Sequence, residues 1–179
     1  MLKKDNAALV IVDVQGKLAT LMHGKDDFYA NVVRMIKGAQ VLELPILWNE
    51  QLPDKLGVTI DEIKDALPGM APLVKKSFSC CGNDEFSDKL KETGRNQAVL
   101  VGMETHVCVY QTAMDLLDQG FEVYVIADAV SSRSADNKHI GLEAMRDAGA
   151  NISCVEMALF EMLEIAEGDQ FKQAIKIVK

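Results

Sequence analysis

Two residues combine a reactive side chain with a place where a fold can expose it. Asp13 closes the apolar run Ala7-Ala8-Leu9-Val10-Ile11-Val12, and Cys108 ends the segment Gly102-Met103-Glu104-Thr105-His106-Val107-Cys108, which overlaps a second apolar run, Gln97 to Met103. A thiol attacks as its thiolate, so it needs a lowered pKa or a neighbouring base. Thr105 is a good N-cap, which puts Cys108 at the third helical position, where the positive end of the helix dipole favours the thiolate. A carboxylate across a crevice would accept the thiol proton. Alone, each residue has a plainer reading: a free cysteine packs as a small hydrophobe, and a lone aspartate after a first strand caps a loop or binds a metal. Together, at one crevice, they point to a thiol and its base.

The elements that must bring them together follow from periodicity. Ala7 to Val12 is a continuous aliphatic run, the pattern of a strand buried on both faces. From Asp26 to about Leu44, apolar residues recur at Val32, Val33, Ile36, Ala39 and Leu42 with helical spacing, and Pro45 then precedes a short strand, Ile46-Leu47-Trp48. Between Gln51 and Pro72 the pattern is less regular, with Thr59 a candidate cap for a short helix through Leu67. Strands are predicted at Leu73–Lys75, Gln97–Met103, Glu122–Ala127 and Ile152–Val155, and helices at Asp84–Glu92, Thr105–Gln119 (ended by Gly120) and Ala135–Ala148 (ended by Gly149), with further helical segments at the C-terminus. Six strands alternating with helices predict an α/β fold: a Rossmann-like three-layer α/β/α sandwich around a mostly parallel sheet of order 3-2-1-4-5-6. Its topological switch point lies between strands one and four, where ligands bind beyond the C-terminal strand ends. Asp13 and the turn from Gly102 to Cys108 fall at that place.

Composition limits the rest. The 179 residues, 49% hydrophobic and with only 4 Pro, suit one globular unit, 1–179, able to bury roughly 70% of its unfolded surface without disulfides or a structural metal. Against 27 Asp plus Glu stand 19 Lys plus Arg, a net charge of −8, and no basic stripe opposes it. Nucleic acid is therefore not expected as a partner, whereas a small neutral or cationic substrate is. The four cysteines read as reduced thiols, and the six-residue apolar run ending in Asp13 is too short for a signal peptide or a membrane span; a cytoplasmic protein is expected, with no membrane partner.

The residues also carry a resemblance. Ala8 to Gln15, then Lys75-Lys76-Ser77-Phe78-Ser79, then Gly102 to Val109, look like three blocks of the isochorismatase-like cysteine hydrolases, and Ala127 to Arg133 and Glu156 to Phe160 extend the likeness in family order over nearly the whole chain. It implies an Asp-Lys-Cys triad with Asp13 and Cys108 as two members. In the family the lysine lies three residues before an aromatic and four before a serine, which through Phe78 and Ser79 selects Lys75. Neighbouring strand residues face opposite ways, so only one of the pair enters the site, and Lys76 remains the alternative. The resemblance further implies an oxyanion hole from the backbone N–H groups of Glu104 and Cys108, with a cis peptide between Met103 and Glu104 that would cost about 3–4 kcal/mol. Gln15, Trp48, Gln51 and Phe78 are candidates to contact substrate.

The implied chemistry is hydrolysis of an amide-type C–N bond in a small molecule through a thioester, with no cofactor. His106 is an unsuitable base, because side chains two apart on a helix do not face each other; His23 and His139 read as surface residues. No histidine occurs between residues 45 and 70, where nicotinamidases carry their metal cluster, so no metal is expected. Isochorismatases proper do not depend on a cysteine at the position of Cys108, which places the chain with the thiol hydrolases. Cys80, Cys81 and Cys154 read as structural. The family also implies a homo-oligomer, a dimer or a larger closed ring. The alternative is a binding or interaction protein that keeps the fold without turnover.

Overall fold

The computed structural model describes all residues from Met1 to Lys179. In chain order the elements are β1 (Ala7–Val12), α1 (Gly16–Ala19), α2 (Lys25–Val41), β2 (Ile46–Gln51), α3 (Pro53–Leu56), α4 (Asp61–Lys64) and β3 (Leu73–Lys75). A 3-10 turn at Cys80–Gly82 leads to α5 (Asp84–Glu92) and β4 (Gln97–Met103), and a π turn at Thr105–Val109 opens α6 (Tyr110–Asp118). Then come β5 (Glu122–Ser131), α7 (Ala135–Asp147), β6 (Asn151–Ser153), α8 (Val155–Leu163) and α9 (Gly168–Val178).

The sheet has the order β3-β2-β1-β4-β5-β6, as the alternation of strands and helices predicts, and every pairing is parallel. The aliphatic runs explain the layers. Leu9 and Ile11 of β1 with Val99 and Val101 of β4 face one apolar cluster, which takes Val32 and Ile36 of α2 and Leu159 of α8. Ala8, Val10 and Val12 with Ala98 and Leu100 face the other, against Phe86 of α5, Leu116 of α6 and Met145 of α7. Successive residues feed opposite layers, which is why β1 throughout and β4 from Ala98 to Val101 are apolar at every position.

Register sets the crevice. Val12 stands beside Asn49 of β2 on one side and Gly102 of β4 on the other, so β1 and β4 end level and Asp13 emerges at the switch point. Gly102 makes that approach possible: with φ 137, a Cβ there would lie 2.2 Å from the Val12 carbonyl oxygen. The β4–β5 register shifts between Leu100 and Gly102.

Several boundaries differ from the sequence expectation. Strand β2 runs on to Gln51 and β5 to Ser131, because parallel neighbours supply hydrogen bonds beyond the apolar runs. Thr59 caps no helix; Ile60 occupies the cap position of α4, while Thr59 bridges to Gln15. The helix expected from Thr105 is present, running without a break from Thr105 to Asp118, but Thr105 is not its cap. Glu104 holds the cap position in a left-handed conformation (φ 58), without a side-chain cap, and the first turn is π-helical. The expected cis bond between Met103 and Glu104 is also not found: all peptide bonds are trans, and the chain turns through the positive φ of Glu104 instead.

Candidate active site

Beyond the C-terminal ends of β1 and β4 lies a cavity of about 190 Å³. Its polar wall is made by Asp13, Gln51, Glu104 and Cys108, and its apolar wall by Leu18, Leu56, Phe78, Met103 and Val107. Phe78 stands at the mouth, 53% exposed.

Lys75 comes up beneath the cavity from β3, in which Leu73 and Lys75 are buried and Val74 between them is exposed. That period of two decides between the neighbouring lysines: Lys75 Nζ lies 2.6 Å from Asp13 Oδ2, with both side chains almost wholly out of solvent, whereas Lys76 is exposed. The remaining contacts of Lys75 are the carbonyl oxygens of Ser77 at 2.9 Å and Phe78 at 2.8 Å. An ammonium has three N–H donors, and all three are taken within the protein.

Asp13, in the left-handed region at φ 53, gives Oδ2 to Lys75 and leaves Oδ1 without a protein partner. Burial pushes its carboxyl above the ordinary 3.8, opposed by the charge and hydrogen bond of Lys75 and by a hydrogen-bonding interaction with Cys108. It is thus a better proton acceptor than an exposed carboxylate. Cys108 itself is buried, and desolvation with the negative charge of Asp13 pushes its thiol up to about 12. Burial and the charge of Asp13 thus oppose the preference for the thiolate that the helix dipole is expected to supply.

Gln51 faces the same chemistry. Its Nε2 donates to the carbonyl oxygens of Lys76 and Ser77, both at 3.3 Å, which turns Oε1 toward the Cys108 thiol at 3.8 Å. The Glu104 carboxylate is held by the Arg133 fork, Nε to Oε1 and Nη2 to Oε2, each at 3.3 Å. Thr112, 0% exposed, donates to the Cys108 carbonyl at 2.7 Å and accepts from the Cys80 N–H at 3.0 Å, joining the cysteine turn to the turn that follows Lys75. Sequence reasoning missed Arg133 and Thr112. The signal for Thr112 was its place four residues after Cys108, where a threonine hydroxyl reaches back to the i−4 carbonyl.

Two sequence candidates fall outside the cavity. Trp48 faces the layer of Leu9 and Ile11, and its indole N–H donates to Thr59 Oγ1 at 2.8 Å. Gln15 is wholly buried: Oε1 accepts from the Gln51 N–H at 2.6 Å, and Nε2 donates to the Gly57 carbonyl at 2.7 Å. Both brace the segment from Gly57 to Thr59 that follows α3. The reason is the strand period, which points Gln51 to the face of Leu47 and turns Trp48 away. No three His, Cys, Asp or Glu side chains come together as a metal-binding group.

Residues 7–157 match the model of the isochorismatase domain. The chain belongs to the isochorismatase family. Isochorismatase domain-containing protein 2B of Mus musculus is 34% identical over 176 residues, which cover 98% of this chain and 82% of that protein. Among solved structures, the MAR1 ribonuclease of Caenorhabditis elegans superposes with a TM-score of 0.92 at 34% identity, covering 99% of this chain and 91% of that one. Two YcaC proteins are similar. That of Pseudomonas aeruginosa, solved with hexane-2,5-diol and covalent acrylamide, has a TM-score of 0.92 at 26% identity, covering 99% and 89%. That of Escherichia coli, described as an octameric hydrolase of unknown specificity, has a TM-score of 0.90 at 25% identity, covering 98% and 91%. The fold is thus that of an isochorismatase-family hydrolase.

Proposed function

We propose that this family member is a cysteine-nucleophile hydrolase that cleaves the C–N bond of a small amide through a thioester. The observation that carries the reading is the buried Asp13–Lys75 pair, whose unpartnered carboxylate oxygen accompanies Cys108 at one cavity. As the Cys108 thiol passes its proton to Asp13, Sγ bonds to the amide carbon, and the carbonyl π electrons move to oxygen. That oxygen is received by the N–H groups of Glu104 and Cys108, since the first N–H groups of a helical turn have no intrahelical acceptor. Collapse breaks the C–N bond, and the leaving amine takes the proton from Asp13. Water then attacks the thioester, giving a proton to Asp13; the C–S bond breaks, and the proton returns to the departing sulfur. The sum is amide plus water to carboxylic acid plus amine.

Lys75 acts here as a fixed charge. With its donors spent on Asp13, Ser77 and Phe78, it holds Asp13 in place and offsets negative charge without touching substrate. The Pseudomonas YcaC supports the reading, since acrylamide is both a small amide and a thiol-reactive group. The name ribonuclease belongs to the C. elegans protein; on this chain a net charge of −8 and a cavity wall without lysine or arginine offer a phosphate nothing. The octameric YcaC supports a homo-oligomer, and four unpaired thiols suit a reducing cytoplasm; no helix is long and apolar enough to cross a membrane. The test is ammonia or amine release from a panel of small amides by the native protein and by Cys108→Ala. Release by the native protein alone is expected; equal release by both, or none by either, overturns the reading.

A further inference from the structure

We infer that the cavity selects an uncharged primary amide with a small apolar acyl group, and rejects amides that carry a carboxylate or an ammonium. The inference rests on Cys108 as the hydrolytic nucleophile and adds the substrate class. Size is the first argument. An apolar cavity of about 150 Å³ takes a benzene-sized molecule, and drug-sized ligands need roughly 300 Å³ or more. A volume of about 190 Å³ therefore admits a few carbons beside the amide.

Charge is the second. Asp13 is paired with Lys75, and Glu104 with Arg133. No lysine or arginine contributes to the wall, and the Lys75 ammonium has no N–H left for a ligand. A substrate carboxylate would lose its water among Leu18, Leu56, Met103 and Val107 and meet no cation, and an ammonium would meet only carboxylates already neutralised by Lys75 and Arg133. Hydrogen-bond polarity is the third argument. The side-chain atoms left free beside the thiol are acceptors: Asp13 Oδ1 is buried without a partner, and Gln51 Oε1 has only the thiol at 3.8 Å. The NH₂ of a primary amide supplies two donors to that corner, while a carboxylate would set oxygen against oxygen.

Two measurements test this apart from the hydrolase reading. The first compares kcat/KM for butyramide, succinamate and 4-aminobutyramide, with 4-methylpentanamide and pentanamide as uncharged controls of the same heavy-atom count as the two ionised amides. Butyramide and the controls are expected to lead each ionised amide by at least 100-fold; an ionised amide cleaved as fast as its control overturns the inference while leaving the hydrolase reading intact. The second needs no turnover. Iodoacetamide and iodoacetate are nearly the same size, and each alkylates a thiol with loss of iodide and of the thiol proton. The rate ratio at Cys108, read by peptide mass spectrometry, is expected to favour iodoacetamide at least tenfold more than the ratio for 2-mercaptoethanol. A ratio equal to that of the free thiol, or reversed, overturns the neutral-pocket inference even if no amide is ever cleaved.

Discussion

Asp13 and Lys75 were tied together by one short ion pair, and each has its own expected consequence. Replacing Lys75 by Met leaves Asp13 buried and unpartnered, so chemical denaturation should show a loss of about 3–5 kcal/mol, and hydrolysis should cease. Lys76→Ala, at an exposed position, should leave both unchanged; the opposite ranking would give the role to Lys76. Asp13→Asn separates thiol ionisation from turnover. The negative charge and hydrogen bond of Asp13 raise the Cys108 thiol, while Lys75 lowers it. Without Asp13 the alkylation midpoint of Cys108 should fall from about 12, yet hydrolysis should drop by about 100- to 10,000-fold for want of a proton carrier. Asp13 and Cys108 were legible from sequence because topology alone sends both to the switch point. Trp48 and Gln15 lie outside the cavity: alternation along β2 turns Trp48 to the other face, and Gln15 spends its amide on the backbone of Gln51 and Gly57, a long-range contact with no sequence signal.

At the scale of elements, the strands were legible and the cysteine turn was not. The short β-branched run Ala7 to Val12 has the pattern of a doubly covered strand, and alternation with helices then suggests its parallel neighbours, as the sheet order bears out. The π turn at Thr105–Val109 depends instead on tertiary contacts. It starts from Glu104 at φ 58, and α7 presses on it so closely that a Cβ on Gly141 would lie 2.9 Å from His106 Cα. Gly141→Ala should therefore shift Cys108 and slow hydrolysis by about 10- to 100-fold, measured as kcat with the protein still folded. Thr112→Val removes the bridge between the Cys108 carbonyl and the Cys80 N–H. Its expected cost is about 1–3 kcal/mol in denaturant titration, restored largely by Thr112→Ser.

For the whole molecule, the same burial that pushes the Cys108 thiol up acts on two other thiols. Desolvation raises Cys80 above its ordinary 9.0 and pushes Cys81 up to about 11. In the unfolded chain all three ionise near 9.0, whereas the folded protein keeps them protonated. Above that pH the unfolded state binds fewer protons, so stability falls as pH rises. Denaturation midpoints should be steady up to about pH 8.5 and decline between pH 9 and 11; a flat profile through pH 11 would show that these thiols are less buried than described. Composition alone revealed none of this, since four cysteines in a sequence carry no record of their depth.

The most direct test of the account is acid-quenched mass spectrometry during hydrolysis of butyramide. It predicts a butyryl group carried as a thioester on the Cys108 peptide, lost on treatment with hydroxylamine, with neither adduct nor ammonia release in Cys108→Ala. A butyryl group on another residue, or undiminished ammonia release by Cys108→Ala, would contradict it.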